Sequence, residues 1–145
     1  MHPQRVAIRF PGTHDGFALA FERFREALDA EELAGTPRFN TELVFEEIVA
    51  NIISHGAAAR RELAVAVTFE THADSIVLTF EDNGVAFDPC SYIPPARVVS
   101  SLDETQVGGF GLVLVRHAAQ SIDYVRTAAG QNRVSVRLSR AQAAH

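Results

Sequence analysis

The chain has 145 residues, 47% of them hydrophobic and 21% charged, a balance that suits one soluble domain with a buried core. Its formal net charge of −5 gives no electrostatic support for direct nucleic-acid binding. No apolar run approaches the roughly 20 residues of a membrane span, and the single Cys90 excludes an internal disulfide and most cysteine-based metal sites.

The first residues, Met1 to Arg5, lack the charged-then-apolar pattern of a secretory signal, so a cytoplasmic location is expected. There is no lysine in the chain. Any cationic phosphate contact must therefore come from arginine, as a planar fork and not a point charge.

In chain order, Val6, Ile8 and Phe10 alternate weakly before Pro11-Gly12, predicting a first strand over 6–10. Phe17, Phe21, Phe24 and Leu28 follow at helical spacing, with Thr13 or Asp15 as N-cap, and the helix is expected to reach about Leu33. Gly35-Thr36-Pro37 reads as the break before a second helix over about 40–54, closed by Gly56. Val65, Val67 and Phe69 predict a strand, and Ile76, Leu78 and Phe80 predict another. The stretch 71–75 would join them as a hairpin. Residues 85–107 lack periodicity, as functional loops often do. A helix is expected from Gly108 to Gln120. Two strands, over 122–127 and 133–138, would close the domain through a turn at 129–132, leaving a frayed tail over about 139–145. The order β-α-α-β-β-loop-α-β-β predicts a single domain over 1–145. Its class is α+β, a two-layer sandwich with helices on one face of a mixed, mainly antiparallel sheet.

Three polar clusters interrupt this apolar plan. Glu47, Asn51 and His55 recur every four residues, so they form one stripe on a helix that is otherwise apolar. Such groups need partners when buried. A carboxylate beside a nucleotide can orient or deprotonate an attacking hydroxyl, and an Asn amide oxygen is a hard ligand suited to Mg²⁺. A polar helix edge meeting solvent is the plainer alternative. Glu46 is the rival carboxylate, but it lies about 140° round the helix from Asn51, which favours Glu47.

The second cluster is Asp82-Asn83-Gly84, continuing through Phe87 and Asp88. An Asp at a strand end can accept a hydrogen bond from an exocyclic amine, and Gly84 permits close backbone approach. The same residues also make common turns. The third is Gly108-Gly109-Phe110-Gly111-Leu112, opening a helix. Exposed amides at a helix start favour anions. It is not a Walker loop, because the Gly-Lys-Ser/Thr ending is missing. A lid hinge is the alternative.

Taken together, these motifs resemble those of the Bergerat-fold (GHKL-type) ATPases, and the resemblance covers nearly the whole chain. Its compactness resembles one branch most, the anti-sigma factor serine/threonine kinases of bacterial partner-switching systems. The branch motif Glu-x-x-x-Asn with a His four residues later is matched by Glu47, Asn51 and His55. Asp-x-Gly-x-x-Phe-Asp is matched by Asp82, Gly84, Phe87 and Asp88. Gly-Gly-x-Gly-Leu is matched by Gly108, Gly109, Gly111 and Leu112, with Phe110 at the variable position. Asn132-Arg133-Val134 looks like the family's closing hairpin.

The resemblance implies ATP or ADP as bound nucleotide, with Mg²⁺ held by Asn51. It makes Glu47 the general base, Asp82 the adenine reader, and Gly109 and Gly111 phosphate contacts. His55, Phe87, Asp88, Gly108, Phe110 and Leu112 fall within the same binding motifs. Residues 89–107 would be the ATP lid. The implied function is an ATP-dependent serine kinase that phosphorylates a STAS-type antagonist and sequesters a sigma factor or other target, as a homodimer. The lid departs from the family in carrying Arg97 as its one cation and Asp103-Glu104-Thr105-Gln106 late, where a basic residue is common. A nucleotide-binding switch with little kinase activity is therefore the alternative. An ATP-hydrolysing fragment of a larger machine is a third reading, disfavoured by the lack of a transducer domain.

Overall fold

The structure, a computed structural model, describes residues 4–56, 62–92 and 111–141. Strand β1 spans Gln4–Pro11 and helix α1 spans His14–Ala30. Thr13 is the N-cap, its Oγ1 accepting from Gly16 N at 3.0 Å, so the choice between Thr13 and Asp15 falls to the hydroxyl. The helix stops at Ala30, short of Leu33. Glu32 takes a positive φ of 55°, and Leu33 N donates to Leu28 O at 3.1 Å, turning the chain back on itself.

Helix α2 runs Gly35–Gly56, starting several residues earlier than the Gly-Thr-Pro sequence suggested. Pro37 lies in its first turn, where a missing N–H costs nothing. Thr41 Oγ1 donates to Pro37 O at 2.6 Å. Arg38 ties the corner between the two helices by reaching Asp29 and Glu42.

Strands β2 (Ala64–Thr71) and β3 (Ser75–Asp82) form the expected hairpin. A 3-10 turn follows at Pro89–Tyr92. Helix α3 includes residues 111–118, and β4 (Ser121–Arg126) and β5 (Asn132–Ser139) complete the sheet. The strand order is β1-β2-β3-β5-β4. Every pairing is antiparallel, so the mixed component allowed by the sequence is absent among the described residues.

One face of the sheet is buried by alternation: Val65, Val67 and Phe69, then Ile76, Leu78 and Phe80, then Val134, Val136 and Leu138. The helices cover that face, giving the two-layer α+β sandwich. Phe45 of α2 is fully buried at its centre. Its ring stacks on Phe24 with centroids 4.3 Å apart and meets Phe17, Phe21 and Phe80 within about 6 Å. This cluster sets the rotation of α2 and so decides which way its polar stripe faces.

The end of β5 is better held than a frayed tail. Ser139 pairs with Ser75. Arg140 N donates to Asp74 O at 3.1 Å, and Arg140 Nη1 donates to His72 O at 2.9 Å. Several expectations lie outside the described residues: Gly108, Gly109, Phe110, Arg97, most of the lid over 93–107, and the last residues 142–145. No helix among the described residues is long and apolar enough to cross a membrane.

Candidate functional site

Helix α2 passes over the ends of β3 and β5, and a pocket opens where its polar stripe meets those ends. Asn51, His55, Asp82 and Phe87 all line it, with Ile48, Val85 and Asn132 among the other walls. Two of the three sequence clusters therefore converge on one cavity. Of the third, only Gly111 and Leu112 are described; Gly111 lies against Glu47, and neither Gly111 nor Glu47 is among the residues lining the cavity.

Glu47 is half-buried and Glu46 is exposed, as the helical spacing required. Partial burial pushes the Glu47 carboxyl above its ordinary pKa, and the charge of Glu46 raises it further. Its Oε2 lies against Gly111, where a side-chain Cβ at that position would overlap it. Glu47 thus stands at the described start of α3.

Asn51 is 7% exposed, and its Nδ2 is buried with no hydrogen-bond partner among the described residues. An amide in that condition costs free energy unless a ligand or solvent group meets it. No cluster of three or more His, Cys, Asp or Glu able to hold a metal occurs among the described residues. The unpartnered Nδ2 is a donor and suits an acceptor such as a phosphate oxygen. A cation here would take the Asn51 amide oxygen and depend on oxygens brought by a bound phosphate, the usual situation for Mg²⁺. His55 stacks on Phe87, centroids 3.8 Å apart and planes 15° from parallel. That pair forms an aromatic wall.

Asp82 ends β3 and is buried. Burial pushes its carboxyl above the ordinary value, and hydrogen bonds from Asn132 and Gly84 and the charge of Arg126 work against that rise. Its Oδ1 accepts from Gly84 N at 2.9 Å and from Asn132 Nδ2 at 3.0 Å. No described residue donates to Oδ2, so the side chain keeps one open acceptor at a pocket wall. A Cβ on Gly84 would stand 3.0 Å from Asp82 Oδ1 and 3.2 Å from Gly56 Cα. The turn is therefore close-packed against the end of α2, and glycine suits it for that reason.

Asp88 caps the 3-10 turn: its Oδ1 accepts from Cys90 N at 2.8 Å and its carbonyl from Ser91 Oγ at 2.9 Å. It is not among the residues lining the pocket, although its neighbours Phe87 and Pro89 are. Leu112 is 2% exposed and belongs to the hydrophobic core, where it seats α3; it is not among the residues lining the pocket.

Sequence reasoning missed Asn132 as a site residue. It is buried opposite Asp82 in the β3–β5 register. The signal was available once those strands are paired, because two inward polar residues then face each other at one sheet end. Tyr124 and Arg126, which contact Asn132 from β4, were missed for the same reason.

Residues 10–138 match the family model described as the histidine kinase-like ATPase domain. The serine/threonine-protein kinase BtrW of Bordetella bronchiseptica is 35% identical over 89 residues, 61% of this chain. The match spans 62% of that relative's length. The crystal structure of the SiaB–SiaC complex from Pseudomonas aeruginosa superposes with a TM-score of 0.59. It covers 92% of this chain and 89% of that chain at 12% identity, a likeness of fold.

Proposed function

We propose that this chain, which belongs to the histidine kinase-like ATPase domain family, is an ATP-dependent serine protein kinase. The observation that carries the reading is the meeting of Glu47 with Gly111. It brings a carboxylate with an elevated pKa to the described start of α3, within the Gly-Gly-Phe-Gly motif that the family resemblance assigns to phosphate binding. The similarity to a named serine/threonine-protein kinase supports the same class.

In this mechanism Asp82 Oδ2 accepts from the adenine amine, and the His55–Phe87 wall and Ile48 pack against the base. Gly111 presents its backbone amide to the phosphates, and the motif residues Gly108, Gly109 and Phe110, which lie outside the described residues, are assigned to phosphate binding by the sequence match alone. Asn51 would hold Mg²⁺ through its amide oxygen, and the ion supplies charge neutralisation at the triphosphate. Glu47 orients the incoming serine hydroxyl and takes its proton as the phosphoryl group transfers. Such transfer depends mainly on positioning and charge.

The protein substrate is a small STAS-type antagonist, and the unphosphorylated antagonist competes with a sequestered target such as a sigma factor. That a neighbour of this fold is crystallised as a two-protein complex supports a protein partner. A homodimer in the cytoplasm completes the proposal. Incubation with ATP, Mg²⁺ and a candidate antagonist, followed by mass spectrometry, tests it: phosphoserine on the antagonist is expected. One feature favours a switch with little kinase activity, namely that the stretch before Gly108 carries Asp103-Glu104 where a cation is common. Calorimetric binding of ATP and ADP without transfer to any antagonist would establish that reading instead.

A further inference from the structure

We propose that Asn132 is a positioning residue that fixes which oxygen of Asp82 the pocket presents, and so sets a preference for bases bearing an exocyclic amine. The proposal rests on the nucleotide-binding reading of this pocket.

Asn132 uses its full hydrogen-bonding capacity while 4% exposed. Its Nδ2 donates to Asp82 Oδ1 at 3.0 Å and to Val85 O at 2.8 Å. Its Oδ1 accepts from Tyr124 Oη at 2.6 Å, Arg126 Nη1 at 3.2 Å and Phe87 N at 3.3 Å. These partners leave the amide one orientation. A guanidinium and a backbone N–H can only donate, and a carbonyl can only accept. Turning the amide over would set donors against donors and an oxygen against the Val85 carbonyl.

The consequence falls on Asp82. With Oδ1 taken by Asn132 and Gly84 and no described residue donating to Oδ2, Oδ2 is the acceptor left for a ligand among the described residues. An ionised oxygen there accepts from an amine and repels a carbonyl oxygen at the same place. Burial alone drives Asp82 toward its protonated form, and the Asn132 bond opposes this. A protonated Asp82 could donate to a carbonyl, erasing the distinction. Asn132 therefore acts twice, by holding the rotamer and by holding the charge. Arg126 reinforces the frame by also donating to Gly84 O at 3.0 Å.

The test compares ADP with inosine diphosphate, which carries a carbonyl where adenine has its amine. Calorimetry is run on the wild type, Asn132→Ala and Tyr124→Phe. The wild type is expected to prefer ADP by about tenfold or more, the worth of one hydrogen bond to a charged group. In Asn132→Ala that preference should shrink several-fold, mainly through weaker ADP binding, with inosine diphosphate nearly unchanged. Tyr124→Phe, which removes one support and keeps the fold's volume, should shift the ratio in the same direction by a smaller factor. It carries the test if Asn132→Ala does not fold. Parallel loss for both nucleotides, with the ratio kept, would mean a merely structural Asn132 and overturn the proposal. A wild type that binds neither nucleotide would overturn the nucleotide-binding reading itself, and the proposal with it.

Discussion

The Glu47 carboxylate rests against the Cα of Gly111, in the space that a side chain at position 111 would fill. The contact joins the polar stripe of α2 to the described start of α3. Gly111→Ala should therefore displace Glu47. A shift of about 1 Å at a catalytic group can cost on the order of 10²-fold in rate. Single-turnover transfer by this variant should fall by about that factor, and its melting temperature should change little by comparison.

Gly84 is a second position where a methyl group has a definite address. It would press on Asp82 Oδ1 and on the Gly56 backbone. Gly84→Ala should weaken ADP binding by about tenfold, since it disturbs a bond to a charged acceptor. Calorimetry with ADP reads this directly.

Protonation gives a third expectation. The folded-state pKa values of Glu47 and Asp82 lie above their ordinary values of 4.5 and 3.8. The folded protein thus binds protons that the unfolded chain has released, and its stability falls as pH rises through that window. Denaturant titrations should show this decline above about pH 4, and Glu47→Gln should flatten part of it. Transfer should show the opposite trend, rising with pH as Glu47 ionises.

The core supplies a fourth. Phe45 is fully buried within its aromatic cluster, so Phe45→Ala should cost about 3–5 kcal/mol. Urea unfolding would measure it. The milder Phe45→Leu should keep the rotation of α2, and with it nucleotide binding.

Much of this architecture was legible in the chain because its signals are local. Period-two alternation gave β2, β3 and β5, and the four-residue spacing separated Glu47 from Glu46. Element ends were less legible. Gly35-Thr36-Pro37 has the composition of a break, yet Pro37 sits where a helix tolerates it, in the first turn of α2. The fray expected from 139 gave way to Arg140, whose partners lie at the β2–β3 hairpin far back in sequence. Leu112 matched a binding motif, but its side chain went to the core. Asn132 was invisible as a site residue because its meaning arises from pairing opposite Asp82, a long-range fact that no window of sequence contains.

The most direct measurement is single-turnover phosphoryl transfer from ATP to a serine of the antagonist by Glu47→Gln. Gln keeps the shape of Glu47 and cannot take a proton. ADP affinity should match the wild type, while the transfer rate should drop by roughly 10²–10⁴-fold, the range for loss of a general base. Transfer at the wild-type rate by this variant would contradict the assignment of Glu47, and with it the reading of the α2 stripe as a catalytic edge.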